Sequence, residues 1–97
     1  MTVARVFEGK GWTAQQYDEL IARLTTQLGL AAGESAKGVL FHWAAATDEG
    51  MRAVDVYENR DVAHALVQDA IGPIAAELGL PLPDITELEV HNYLRPA

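Results

Sequence analysis

The feature that most constrains this chain is the order of its apolar patterns, which switch between the periods of a strand and of a helix. Two-residue alternation with β-branched and aromatic residues predicts strands, and three- and four-residue spacing predicts helices. The strands are predicted at residues 2–8, 39–46, 51–58 and 85–94, and the helices at 14–28 and 60–78. The order β-α-β-β-α-β is that of the ferredoxin-like α+β fold, with a four-stranded antiparallel sheet in the order 4-1-3-2 and both helices on one face.

Both ends of the first helix carry local signals. Thr13 and Gln16 have the spacing of a capping box, and Trp12 and Tyr17 that of a hydrophobic staple. Gly29 follows the last apolar position and predicts a left-handed cap. These signals predict a helix that begins after Thr13 and ends before Gly29.

The second helix has a clear start and an interruption. Asn59 or Asp61 is suited to cap its first turn. Pro73, with Gly72 before it, lies inside the apolar pattern and lacks the N–H that a helix interior requires. We therefore expect a kink or a break at this point.

The composition limits the classes of function. A chain of 97 residues is expected to form one domain, residues 1–97. The formal charge of −7 argues against nucleic acid or an anionic membrane as a partner. The chain has no cysteine, no apolar run long enough to span a bilayer and no signal-peptide pattern at its start. We expect a cytoplasmic protein.

The hairpin predicted between residues 39 and 58 places a histidine and a carboxylate among apolar residues. The length of the turn TDEG decides which residues share a face. If even-numbered residues of one strand pair with odd-numbered residues of the other, one face carries Leu40, His42, Ala44 and Ala46 with Met51, Ala53, Asp55 and Tyr57. The other face then carries Val39, Phe41, Trp43 and Ala45 with Arg52, Val54, Val56 and Glu58. His42 then lies opposite Asp55 or Tyr57, and a one-residue shift would separate them. The pair fits either a general base with its orienting carboxylate or a satisfied structural pair.

Other candidates come from the last strand and from the aromatic residues. Glu89, His91 and Tyr93 alternate onto one face, which predicts a pocket rim, solvent or a dimer partner around His91. The aromatic side chains can line a space between sheet and helix or pack as core: Trp12, Tyr17, Phe41, Trp43 and Tyr57. No histidine or carboxylate spacing predicts a metal site.

The stretch GVLFHWAAATDEGMRAVDVYENRDVAHAL, together with IGPIAAELGLP and EVHNYL, resembles the antibiotic biosynthesis monooxygenase-like family of the dimeric α/β-barrel superfamily. The resemblance implies a homodimer paired through the open sheet faces, with a pocket in each subunit. Enzymes of this family oxidise aromatic polyketide phenols to quinones with molecular oxygen and use neither metal nor flavin, so no cofactor is expected.

The resemblance also implies roles for individual residues. His42, backed by Asp55, would deprotonate a hydrophobic aromatic substrate, and Tyr17, Trp43 and Tyr57 would position its ring. The alternation of the last strand adds His91 as a candidate for binding the substrate. The sequence departs from the family at YEN, where Trp-Glu-Ser is frequent. Its first strand also lacks the asparagine of the haem-degrading relatives.

Two functions of different classes remain open at this point. The first is a cofactor-independent monooxygenase, an oxidoreductase acting on a hydrophobic aromatic molecule. The second is a non-catalytic dimeric protein that binds a small molecule or accompanies another enzyme. In the second case the His42–Asp55 pair would only stabilise the fold.

Overall fold

A computed structural model describes residues 1–94 and 97 and confirms the predicted element order. The elements are β1 (Val3–Lys10), α1 (Ala14–Leu28), β2 (Val39–Thr47), β3 (Gly50–Tyr57), α2 (Arg60–Leu66), a π-helical turn (Val67–Ile71), α3 (Gly72–Glu77) and β4 (Asp84–Glu89). The strands form an antiparallel sheet in the order β2-β3-β1-β4, as predicted. This is the ferredoxin-like α+β fold.

The helices cover one face of the sheet because their apolar stripes pack against inward-facing strand residues. The main core cluster joins residues of α1 and α3 to β3: Trp12, Leu20, Leu24, Met51, Ala70, Ile74, Ala75 and Leu80. A smaller cluster joins Val3, Tyr57 and Ala63 at the other end of the same face. Burial of these apolar side chains is the main favourable contribution to the folded state.

The capping box of α1 forms as predicted. The backbone N–H of Gln16 donates to the Thr13 hydroxyl over 3.1 Å, and the Thr13 N–H donates to the Gln16 side chain over 2.9 Å. Gly29 ends the helix with φ of 66°, a conformation that glycine adopts without a steric penalty. The orientation of Tyr17, which lies in the first turns of α1, depends on this well-defined start.

The second helical segment is interrupted, as Pro73 predicts. Asn59 caps its start, and its Oδ1 accepts from the Val62 N–H over 2.9 Å. A π-helical turn separates α2 from α3, and in it the Gly72 N–H donates to the Val67 carbonyl. Pro73 has no N–H to continue the normal ladder, so one wider turn accommodates it without ending the helical path.

The register of the hairpin confirms that His42 lies opposite Asp55, but it differs from the prediction at Val39. His42 lies opposite Asp55, and Ala44 opposite Ala53. A β-bulge shifts the register between Val39 and Phe41, so Val39 lies opposite Tyr57 and packs against its cluster. The expectation that Val39 shares a face with Phe41 is wrong, because the extra residue in the bulge reverses the alternation.

The last strand is shorter than predicted. It ends at Glu89, which pairs with Val3, and the Val90 N–H makes one further bond to the Thr2 carbonyl. β1 begins at Val3, so residues 91–94 find no further residue of β1 to pair with. His91 and Tyr93 therefore lie outside the strand on which they were predicted.

Gly50→Ala is expected to lower the free energy of unfolding by about 1–3 kcal/mol through overpacking. A Cβ at Gly50 would lie 2.1 Å from the carbonyl oxygen of Gly9, and backbone atoms cannot yield as a side chain does. Urea denaturation measures the loss. Gly33→Ala is the matched control, since it also has positive φ but open space around its Cβ position, and an equal loss in both variants would contradict the steric explanation.

No helix in residues 1–94 is long and apolar enough to cross a membrane.

Candidate active site

Four polar side chains form a continuous hydrogen-bonded row between α1 and the sheet, in the order Tyr17, His42, Asp55, Tyr57. The Tyr17 hydroxyl lies 2.5 Å from His42 Nε2, and His42 Nδ1 contacts Asp55 Oδ1. The Tyr57 hydroxyl donates to Asp55 Oδ2 over 2.6 Å. The row runs from the interior of the domain to the surface of a cavity.

Three elements bring these residues together. Tyr17 comes from α1, His42 from β2, and Asp55 and Tyr57 from β3, two residues apart and thus on the same face. The β2–β3 register places His42 directly opposite Asp55. The position of the row therefore depends on strand pairing and on the packing of α1 over the hairpin.

Burial increases along the row. The side chain of His42 is 30% exposed, that of Asp55 is 7% exposed, and Tyr57 is fully buried. Asp55 is the charged residue that is buried in the part of the chain the structure describes. Its two oxygens accept from Tyr57 and His42, so its burial does not leave an unsatisfied carboxylate.

The hydrogen-bond partners assign the protons of the imidazole. A carboxylate only accepts, so His42 Nδ1 carries the proton that it shares with Asp55. In the neutral imidazole Nε2 is then an acceptor, and Tyr17 donates its hydroxyl proton to it. His42 thus presents its basic nitrogen toward Tyr17 and the cavity, in the orientation that a general base needs.

Both tyrosines of the row remain protonated near neutral pH. Burial, followed by the negative charges of Asp55 and Asp18, raises the pKa of Tyr17 to about 12. Burial is also the main cause that raises the pKa of Tyr57, and Asp55 adds to it. Each tyrosine is therefore a hydrogen-bond donor over the range in which histidine normally titrates.

The raised pKa of Tyr17 predicts a loss of stability at alkaline pH. An unfolded tyrosine ionises near its ordinary pKa of 10.0, whereas folded Tyr17 does so at about 12. The contribution of Tyr17 to the free energy of unfolding is fully present below the pKa of the unfolded tyrosine, and it is lost as the pH rises through the pKa of the folded Tyr17. Urea unfolding from about pH 9 to about pH 11 should show a steeper decline for the parent chain than for Tyr17→Phe. Equal declines would contradict the assignment.

A cavity of about 420 Å³ lies between α1 and the sheet, and the row reaches it through Tyr17, His42 and Asp55. Most of its wall is apolar, with contributions from Phe7, Trp12, Leu20, Ile21, Leu24, Met51, Leu66 and Ile71. The segment from Leu30 to Ala36 forms another side. This size and composition suit a small aromatic molecule.

The structure brings together three of the predicted site residues at the cavity and places the others elsewhere. Tyr17, His42 and Asp55 line it, and Tyr57 lies behind them against Asp55. The register places Trp43 opposite Val54, on the sheet face away from the helices, and Trp43 is not among the lining residues. His91 is exposed beyond β4 and is not a lining residue either.

Sequence reasoning missed the contribution of the segment between α1 and β2. Glu34 and Ser35 border the cavity, and Glu34 Oε1 accepts from the Ala31 N–H over 2.5 Å. The sequence AAGESAKG shows only that this segment is a loop. The signal that was available is the capping-like spacing of Ala31 and Glu34, which predicts a compact turn but not its position over the cavity.

Within residues 1–94 and 97, no group of three or more histidine and carboxylate side chains is arranged to hold a metal ion.

Comparisons with known proteins identify the fold of this chain. No protein-family model and no curated protein matches it. Among solved structures it is similar to SnoaB from Streptomyces nogalater, described as a cofactor-independent oxygenase. The TM-score is 0.59 and the identity 17%, over 98% of this chain and 96% of SnoaB. A variant of SnoaB matches with a TM-score of 0.58 and 20% identity over the same shares.

A Deinococcus radiodurans protein, provisionally assigned as an antibiotic biosynthesis monooxygenase, is similar along its whole length. The TM-score is 0.57 and the identity 14%, over 100% of this chain and 99% of that chain. These similarities confirm the predicted resemblance to the antibiotic biosynthesis monooxygenase-like proteins at the level of the fold. A shared fold does not define an activity, because one fold carries many activities.

Proposed function

We propose that this protein is a cofactor-independent monooxygenase that acts on a hydrophobic aromatic phenol. The observation that carries the proposal is the oriented imidazole of His42 at the wall of an apolar cavity. Asp55 holds Nδ1 and leaves Nε2 to receive a proton. The fold shared with SnoaB, described as a cofactor-independent oxygenase, supports the same reaction class.

The first step is removal of the phenolic proton. The substrate hydroxyl donates to the Tyr17 oxygen, and Tyr17 passes its own proton to His42 Nε2, 2.5 Å away. The products are a phenolate and an imidazolium that Asp55 stabilises. The apolar wall limits the access of water to the ions, so the interactions between their charges are stronger than in bulk solvent.

The later steps need no further reactant besides oxygen. The phenolate transfers one electron to O₂, and the resulting radicals combine to form a C–O bond. The peroxide takes the proton held by His42 and becomes a hydroperoxide. The ring carbon then loses its hydrogen as a proton, the electrons of that C–H bond form the second C=O bond of the quinone, and the O–O bond breaks. The departing hydroxide takes the ring proton and leaves as water. One oxygen atom enters the product and the other leaves as water, so the substrate supplies all the electrons.

Oxygen uptake with fused-ring phenols tests this function. We expect protein-dependent uptake, and with isotopically labelled O₂ we expect one labelled atom in the quinone. Reactions without protein measure spontaneous oxidation of each phenol. If no phenol that binds to the cavity shows uptake above that background, the chain is a binding protein and the row of four residues only stabilises its fold.

We also infer that two copies pair through the open sheet face. This face carries large apolar side chains that the helices do not cover: Phe41 is 57% exposed, Trp43 40% and Leu88 54%. The register places them with Val54, Val56, Val6 and Ala4 on one side of the sheet. These apolar side chains span all four strands, and the ion pair between Glu8 and Arg52 lies at one end of the patch. An exposed apolar patch of this kind is typical of a protein interface.

A charged residue on this face is expected to produce monomers. Trp43→Glu places an unpaired carboxylate in the proposed interface, which is unfavourable because the charge must lose its water. Sedimentation equilibrium measures the mass of each species. Leu82→Glu is the matched control, since Leu82 is exposed but lies in the connector before β4. A monomeric parent chain would contradict the inference.

A further inference from the structure

We propose that the cavity selects hydroxyarenes that are uncharged when they bind and excludes aromatic carboxylates, phosphates and phenolates. This inference rests on the proposed function for the identity of the site and adds the substrate class that the site accepts. It follows from the charges around the cavity, from the hydrogen bonds that His42 already makes and from the charge balance of the reaction.

In the part of the chain that the structure describes, the lining of the cavity offers no lysine or arginine as a counterion to an anion. Among the described residues its charged side chains are Asp55 and Glu34, both acidic, and none is a lysine or an arginine. An ionised group placed there would lose water without gaining an opposite charge, which is strongly unfavourable. A phenolic hydroxyl needs only to donate a hydrogen bond to the Tyr17 oxygen, whose own proton is shared with His42.

The nearby basic residue on the sheet is already committed to another carboxylate. Arg5 lies opposite Asp55 in the register of β1 and β3, but its Nε donates to Glu87 over 3.1 Å. Arg60 donates to the other oxygen of Glu87 over 2.7 Å. These interactions hold the two guanidinium groups against Glu87, and neither residue lines the cavity.

The local potential is negative where the substrate hydroxyl would lie. Asp55 and Asp18 both contribute, after burial, to the raised pKa of Tyr17. Both nitrogens of His42 already have partners, Asp55 at Nδ1 and Tyr17 at Nε2. A phenolate arriving from solvent would face this potential and bring no proton for the base to remove.

A neutral phenol avoids this difficulty because the charge of the site does not change. Its proton moves to His42, and the resulting phenolate lies beside an imidazolium formed in the same step. The total charge in the cavity is the same before and after transfer. The site can therefore generate inside the cavity an anion that it would not accept from solvent.

The experiment compares three ligands of closely similar shape by isothermal titration calorimetry: 2-naphthol, 6-hydroxy-2-naphthoate and the methyl ester of that acid. At about pH 7 only 6-hydroxy-2-naphthoate is ionised, whereas 2-naphthol and the methyl ester are neutral. We expect 2-naphthol and the ester to bind, and the carboxylate to bind at least roughly tenfold more weakly than its ester. The ester controls for size, so the difference reports charge.

Glu34→Gln tests whether the charge of the lining causes the discrimination. The glutamine oxygen can still accept from the Ala31 N–H, so the loop is expected to keep its turn. The difference in affinity between the ester and the carboxylate should narrow in this variant. Glu49→Gln, in the hairpin turn and outside the lining, should leave the difference unchanged.

The outcomes separate this inference from the proposed reaction. Equal affinities for the ester and the carboxylate would overturn the inference, and so would failure of all three ligands to bind. Lys37 is exposed and follows the lining residue Ala36 in the chain. Carboxylate binding that is lost in Lys37→Gln would also overturn the inference, by showing that this lysine supplies a counterion. Selective binding of the neutral ligands without oxygen uptake would support the inference and reject the oxygenase reaction.

Discussion

His42→Asn is expected to lower phenol-dependent oxygen uptake by about 10²–10⁴-fold, the usual contribution of a general base. Asparagine keeps an N–H near the position of Nδ1, so Asp55 retains a donor, but it has no basic nitrogen facing Tyr17 and the cavity. The fold should therefore survive while proton removal fails. Steady-state uptake of oxygen, with circular dichroism to verify folding, measures both effects.

Two further variants separate catalysis from structure. His64→Asn is the matched control, because His64 is exposed on α2 and does not line the cavity, and its activity should equal that of the parent. His42→Ala leaves a space beside Asp55, and added imidazole should restore part of its activity. A folded His42→Asn protein with unchanged turnover would exclude His42 as the base.

Asp55→Ala is expected to cause the largest loss of stability, roughly 2–4 kcal/mol in the free energy of unfolding. The change removes the acceptor of the fully buried Tyr57 hydroxyl and of His42 Nδ1. The buried Tyr57 hydroxyl has no access to water, so no new hydrogen bond compensates for the free energy that its desolvation costs. Urea denaturation followed by tryptophan fluorescence measures the loss.

A double-mutant cycle identifies the source of this effect. Tyr57→Phe alone leaves one oxygen of Asp55 without its donor and should be destabilising. In the Asp55→Ala background it should cost much less, because the hydroxyl it removes is already unsatisfied. Asp69→Ala, on the exposed side of the π-helical turn, is the control and should have little effect. Additive losses for Asp55 and Tyr57 would contradict the coupling.

Part of the candidate site could be predicted from the sequence because it depends on strand alternation. Once the turn length is correct, His42 and Asp55 must share a face, and Tyr57 must share it too. The bond between Tyr17 and His42 depends on where α1 crosses the sheet, which no local pattern encodes. Trp43 was predicted to bind substrate because it is aromatic and because the family resemblance implies this role. The same alternation that places His42 at the cavity turns Trp43 away from it.

The sequence alone determined the order of the elements, the start of α1 and the interruption near Pro73. Each of these depends on interactions between residues close in the chain, such as the Thr13–Gln16 capping box and the missing N–H of proline. Interactions of this kind do not depend on how the distant parts of the chain pack, so a short stretch of sequence is enough to predict them.

Only the tertiary structure decided the bulge beside Val39, the end of β4 at Glu89 and the cavity with its acidic rim. The bulge and the strand end depend on which residues the neighbouring strands offer for pairing. The cavity is the space left between α1, the sheet and the segment from Leu30 to Ala36, so its size and charge follow from how separate elements pack together. Those distances are set by contacts between residues far apart in the chain, and short sequence patterns do not contain them.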